Sequence, residues 1–184
     1  MRKLILIGAS TGGPSQIKYL IQDLELENTT IVIAQHMQAN FLPSYANQLN
    51  KECVSEVALL EQTCFLDDKK IYVCQYNTEL FFNLRVGFND GVFPFCPNVD
   101  LLFNSAVKLT KDYEILAILL TGIGDDGAKG LYELYKKGAK CIGESEKSCI
   151  VYGMPKRAYE LNNSLKQLDI EDIKKEILTF IKGR

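Results

Sequence analysis

The sequence has little charge imbalance, no long apolar run and almost no imidazole. Its formal net charge of −2 over 184 residues leaves no electrostatic footprint for nucleic acid or a membrane surface. No apolar stretch approaches the roughly 20 residues of a membrane-spanning helix. Met1-Arg2-Lys3 leads straight into a short strand, not into the apolar core of a signal peptide. The six cysteines, at 53, 64, 74, 96, 141 and 149, form no Cys-x-x-Cys pair. That spacing does not suit zinc, and it fits reduced, mostly buried thiols in a cytoplasmic protein. Internal repeats and low-complexity linkers are missing too, so residues 1–184 are expected to form one domain. Imidazole is nearly absent: His36 is the only histidine, so general-base chemistry by imidazole has a single candidate.

What is present is organised around Ile7-Gly8-Ala9-Ser10-Thr11-Gly12-Gly13. Leu4-Ile5-Leu6-Ile7 reads as a buried strand. Ile17, Leu20, Ile21 and Leu24 then recur at helical spacing, with Pro14 suited to the first turn. Ser10 therefore lies in a tight strand-to-helix turn, beside the free N–H groups of a helix N-terminus. Such a turn can hold up a nucleophile and offer donors to an oxyanion. The spelling Gly-x-Ser-x-Gly matches a nucleophile elbow. The same glycines could equally cradle a phosphate, and Ser10 or Thr11 could simply cap the helix.

Thr30-Ile31-Val32-Ile33-Ala34 is a second buried strand, and His36 stands just past its end, at the edge where open α/β sheets bind ligands. Residues 41–51 read as a helix. From Val54 to Gly91 the texture changes to short strand-like segments, Val54–Leu60, Lys70–Cys74 and Phe81–Phe88, which predict a small antiparallel excursion. Asn89-Asp90-Gly91 is a hairpin signal, and Phe81, Phe82, Phe88, Phe93 and Phe95 read as strand and core packing. Pro97-Asn98-Val99-Asp100 opens a helix in which Asn98 caps and Asp100 favours the positive end. Glu114 to Leu120 is a third buried strand, ending in Thr121-Gly122-Ile123-Gly124-Asp125-Asp126-Gly127 before another helix. One of the two carboxylates is expected to cap that helix, leaving the other for the cleft. A short strand at Lys140–Gly143, a helix near Arg157–Leu161 and an amphipathic helix from Asp169 complete the chain. The pattern predicts an α/β fold with a mainly parallel sheet.

Three sheet-end turns thus offer a hydroxyl (Ser10), the only imidazole (His36) and a carboxylate (Asp125 or Asp126), the set for nucleophile, base and orienter. The order Ser, His, Asp differs from the Ser, acid, His of α/β-hydrolases. Together with Gln35-His36-Met37, Pro97-Asn98-Val99-Asp100-Leu101-Leu102-Phe103 and Val151-Tyr152-Gly153-Met154-Pro155, these turns resemble the catalytic domain of chemotaxis protein-glutamate methylesterases, over nearly the whole chain. The resemblance implies a doubly wound α/β domain with helices on both faces of the sheet. It also implies hydrolysis of glutamyl γ-methyl esters, and deamidation of some glutamines, on the cytoplasmic helical region of chemoreceptors. No cofactor or metal is implied, and a monomer is expected.

Carried over residue by residue, Ser10 is the nucleophile, His36 the base and Asp126 the orienting acid, with Thr11, Gly12, Gly13 and Ile123 as oxyanion or supporting residues. The family usually has asparagine where Asp125 stands and methionine where Ile123 stands; Asp125 is expected to face solvent or cap the helix. Family members usually carry a receiver domain ahead of this one. Its lack here leads to the expectation of a site open without phosphorylation.

Two other classes compete. A nucleotide-binding module could use the glycine-rich turns at 8–13 and 122–127, although neither has the Walker lysine spacing. A receptor-binding protein with an inactive site would not need the intact Ser10, His36 and Asp126. No cysteine occupies a turn comparable to that of Ser10.

Overall fold

In the computed structural model, which describes residues 1–183, the apolar runs become the centre of a sheet. The strands in chain order are β1 (Arg2–Ala9), β2 (Thr29–Gln35), β3 (Val57–Leu60), β4 (Ile71–Cys74), β5 (Thr78–Phe81), β6 (Arg85–Phe88), β7 (Tyr113–Leu119), β8 (Lys140–Glu144) and β9 (Lys166–Leu168). Seven of them pair in the order β3-β4-β2-β1-β7-β8-β9, every pairing parallel. The helices are α1 (Gly13–Ile21), α2 (Leu42–Glu52), α3 (Val99–Ala106), α4 (Ala128–Lys136), α5 (Met154–Leu161) and α6 (Ile170–Lys182).

Alternation along β1 makes two cores. Leu4 and Leu6 pack with α3, α4 and α5 through Phe103, Leu131 and Met154. Ile5 and Ile7 pack with α1, α2 and α6 through Ile17, Leu49 and Ile177. A strand buried on both faces needs apolar residues at every position, which is why β1, β2 and β7 read as unbroken runs. β1 sits between β2 and β7, and the chain leaves the ends of β1 and β7 toward opposite faces. Such a reversal opens a crevice at the carboxyl edge. The fold is the expected doubly wound α/β architecture with a small antiparallel sheet.

That excursion is narrower than the sequence predicts. Val57–Leu60 and Ile71–Cys74 belong to the parallel sheet, with Val57 opposite Ile71 and Leu60 opposite Cys74. Residues 61–70 make the crossover between them, a ten-residue connection without a helix. Of the strands only β5 and β6 pair antiparallel, with one further antiparallel bridge from Phe65 to Arg85. Phe81–Phe88 is not one strand: it folds back through a short 3-10 turn at Phe82–Leu84, where Asn83 and Leu84 take φ of 57° and 53°. The hairpin therefore turns there and not at Asn89-Asp90-Gly91, which forms a local turn through Asn89 Oδ1 and the Gly91 N–H (2.9 Å).

The aromatic set divides: Phe81 and Phe88 lie in β5 and β6 and Phe88 packs half-buried against the core, as expected, whereas Phe82 and Phe95 are exposed and Phe93 is half-buried outside the core clusters. All six cysteines are free, but only Cys74 and Cys141 are buried, and burial pushes both thiols up to about 12. Among the described residues no helix is long and apolar enough to cross a membrane.

Candidate active site

Ser10 follows β1 and His36 follows β2 directly, because parallel pairing of these neighbours aligns their ends. Cross-ties fix the two turns. The Ser10 N–H donates to the Thr121 carbonyl, and the His36 N–H to the Ala9 carbonyl, both at 2.9 Å. The buried Gln35 amide donates to the Ser10 and His36 carbonyls (2.9 and 3.0 Å), clamping nucleophile and base turns together. Close approach explains the glycines around them. Gly12 takes φ +85°, and a methyl group on Gly122 would stand 2.6 Å from Ser10 Cβ and 2.3 Å from Met154 Sδ.

His36 Nε2 lies 2.6 Å from Asp126 Oδ2, and the two side chains are 8% and 3% exposed. Oδ2 also accepts the Val99 N–H and Oδ1 the Asp100 N–H, each at 2.8 Å. These donors belong to the first turn of α3, where unpaired N–H groups and the helix dipole both favour a carboxylate. Asn98 Oδ1 caps the same helix by accepting the Leu101 N–H at 2.8 Å. The imidazole Nδ1 is buried and has no partner among the described residues. It is the nitrogen left to accept a proton.

Neither carboxylate of the β7–α4 turn caps α4, contrary to expectation: Gly127 holds that position, without a side-chain bond. Asp126 caps α3 instead, and Asp125 is exposed. The turn is thus occupied by carboxylates, one of them bound to N–H groups, and offers a phosphate a poor cradle. Of the remaining predicted residues, Gly13 donates its N–H to the Ser10 carbonyl (2.9 Å), so it supports the turn and does not face outward. Thr11 is exposed, Gly12 half-buried and Ile123 60% exposed. Their N–H groups have no partners among the described residues.

Three contributors escape sequence reasoning. Gln35 stands inside a noted motif, but its clamp depends on the fold. Glu144 is fully buried at the end of β8. It accepts the Thr121 N–H (2.8 Å), the Gln16 amide (2.6 Å) and the Ser148 hydroxyl (2.7 Å), and so braces the backbone that receives the Ser10 N–H. Phe95 stacks on His36, ring centroids 4.7 Å apart and planes 8° from parallel. Beside the pair an open cleft of about 420 Å³ is lined by Phe93, Leu101, Asp125 and Lys129, among others. Among the described residues no three His, Cys, Asp or Glu side chains are grouped to hold a metal ion.

Comparison with known proteins shows the family and the fold. The family model described as CheB methylesterase matches residues 5–177. A protein-glutamate methylesterase/protein-glutamine glutaminase 2 of Syntrophomonas wolfei is 36% identical over 185 residues, covering 97% of this chain and 54% of the relative. The protein-glutamate methylesterase/protein-glutamine glutaminase of Salmonella typhi is 33% identical, covering 97% and 53%. The chain therefore spans about half the length of these curated relatives. The crystal structure of the Thermotoga maritima CheB methylesterase catalytic domain superposes with a TM-score of 0.87 at 28% identity, covering 98% of this chain and 99% of that one.

Proposed function

The chain belongs to the CheB methylesterase family, and on that premise we propose that residues 1–184 act as a single cytoplasmic serine-hydrolase domain. It removes methyl groups from glutamyl γ-methyl esters of chemoreceptors, and also deamidates receptor glutamines. The observation that carries this reading is the buried His36–Asp126 pair, whose Nδ1 is left without a partner, on a residue that directly follows its strand at the same sheet edge as Ser10. The proton is assigned to Nε2 because Asp126 accepts there.

In the first half-reaction His36 Nδ1 takes the Ser10 proton as Oγ attacks the γ-carbonyl. The imidazolium then carries two protons, stabilised by the Asp126 carboxylate. Its Nδ1 proton passes to the departing methoxy oxygen, and methanol leaves a glutamyl ester on Ser10. Water attacks that ester, losing a proton to Nδ1, and Ser10 departs with the proton returned. Amide substrates follow the same route with ammonia leaving. The N–H groups of Thr11, Gly12 and Ile123 are the donors for the oxyanion. Asp125 plays no part in the chemistry. The substrate is the helical cytoplasmic region of a receptor, the enzyme acts as a monomer, and no cofactor or nucleic acid takes part.

The test is release of labelled methanol from methyl-esterified receptor membranes by the wild type and by Ser10→Ala. Release by the first alone supports the reading. Equal release by both overturns the nucleophile assignment. No release by the wild type, together with a melting shift on adding nucleotides, replaces the reading with a nucleotide-binding one.

A further inference from the structure

The Asp126 hydrogen bond does not by itself orient the imidazole. It holds Nε2, which lies closer to the Cβ–Cγ rotation axis than Nδ1 does. A small twist about χ2 therefore moves Nδ1 further than Nε2, within the angular tolerance of a single hydrogen bond, and the histidine χ2 torsion is intrinsically broad. Some other contact has to set the plane. Phe95 makes it, face to face at 4.7 Å and 8°.

We propose that Phe95 is a positioning residue for His36. Its ring sets the imidazole plane that directs Nδ1 toward the Ser10 turn, and it keeps water off that face. The proposal rests on the serine-hydrolase reading and deepens it. The placement of Phe95 is itself built. Residues 95–100 carry both holds on the base: the Phe95 ring on its face, and the Val99 and Asp100 N–H groups on the carboxylate at its edge. Between them the Asn98 N–H donates to Asn77 Oδ1 (2.9 Å), and the Asn89 N–H donates to the Asn77 carbonyl (2.9 Å). Residues 89–98 are thereby tied at both ends to Asn77, which precedes β5. The small antiparallel sheet thus supplies the anchor from which Phe95 reaches the site. Phe95 remains 37% exposed and lies outside both core clusters, so its role is not to fill the core.

The single histidine makes the test unambiguous, because every imidazole nitrogen and ring-proton signal is that of His36. Phe95→Tyr keeps the ring and Phe95→Leu keeps only apolar bulk; unchanged circular dichroism and melting check that both fold. In the wild type at a pH where the imidazole is neutral, the ¹⁵N shifts should report one tautomer, protonated at Nε2, with ring protons moved upfield by the phenyl face. Phe95→Tyr should keep both signatures and lie within about twofold of wild-type kcat. Phe95→Leu should lose the upfield shift and move the nitrogen shifts toward a tautomer average. Its kcat should fall about tenfold with KM within about twofold, the scale of one aromatic pair.

Wild-type nitrogen shifts and kcat in Phe95→Leu would overturn the proposal. A raised KM at unchanged kcat would also overturn it, reassigning Phe95 to substrate contact. The nitrogen shifts need no substrate, so they decide about Phe95 even if the wild type releases no methanol, a result that would instead count against the esterase reading.

Discussion

Replacing Asp126 by asparagine tests the site through its hydrogen-bond arithmetic. The carboxylate accepts three donors: His36 Nε2–H and the Val99 N–H at Oδ2, and the Asp100 N–H at Oδ1. An asparagine amide has one accepting oxygen and must turn its NH2 to one side. With the oxygen kept toward His36, the Asp100 N–H meets another donor at a position only 4% exposed, and an unpaired buried donor costs about 1–3 kcal/mol. With the amide reversed, Val99 and His36 both lose their acceptor. The imidazole is then driven to the other tautomer, with its proton on Nδ1, where it can no longer take one from Ser10.

Either orientation also removes the negative charge that stabilises the imidazolium. The expected result for Asp126→Asn is a kcat lower by about 10³–10⁴-fold, the scale seen when a triad carboxylate loses its charge, and a stability loss of about 1–3 kcal/mol. Methanol release measured alongside urea unfolding reads both. Asp125→Asn is the control, because Asp125 is exposed; it should stay within about 0.5 kcal/mol and keep its turnover. More than about a tenth of wild-type kcat in Asp126→Asn, or a matching loss in Asp125→Asn, would refute this account of the orienting acid.

Two further outcomes follow from the geometry. Gly122→Ala places a methyl 2.6 Å from Ser10 Cβ and 2.3 Å from Met154 Sδ. The thioether can move but the nucleophile turn cannot, so stability should fall by about 1–3 kcal/mol and kcat by about 100-fold; wild-type kcat in that variant would show that the close approach is immaterial. Burial raises the Asp100 carboxyl above the ordinary aspartate value of 3.8, against the Gly130 N–H that favours its charge and with the nearby Asp126 charge adding to the rise. A raised folded value means the folded state holds the proton more tightly, so the group helps stability below 3.8 and that help fades as pH climbs through the folded value. Asp100→Asn, whose oxygen can still accept from Gly130, should therefore gain on the wild type as pH rises through that window, and a flat difference in urea unfolding would contradict it.

The central strands were legible because burial on both faces demands an unbroken apolar run, and β1, β2 and β7 supply one. The edges carry no such demand. β9 is Lys166-Gln167-Leu168, with nothing in it to mark a strand. β3 and β4 have four residues each, and such short segments say that they are strands without saying which neighbour they join or in which direction. Direction is decided by the chain between them, and residues 61–70 form a crossover without a helix to announce it. Phe81–Phe88 misleads for a different reason. Its composition favours a strand throughout, but Asn83 tolerates the left-handed conformation that reverses the chain.

At the site, positions were readable and partners were not. Ser10 and His36 show themselves because each stands one residue past a strand, and a parallel sheet brings such positions to one edge. The carboxylates could not be separated by spacing, since Asp125 and Asp126 are adjacent in one turn. What distinguishes them is burial: Asp126 is 4% exposed, whereas Asp125 is an exposed residue. The physics of capping holds in this turn, but on a different helix. A carboxylate does bind free N–H groups at a helix start, but those N–H groups lie 26 and 27 residues upstream, in α3. Phe95 hides in the same way, in an aromatic-rich loop whose ring finds a histidine 59 positions away only after the small sheet has folded. A backbone N–H is the same donor at every residue but proline, and a phenyl face the same at every phenylalanine; which side chain meets them is settled by packing. Residue types can therefore be placed at a sheet edge from sequence, while the groups that orient them emerge only with the fold.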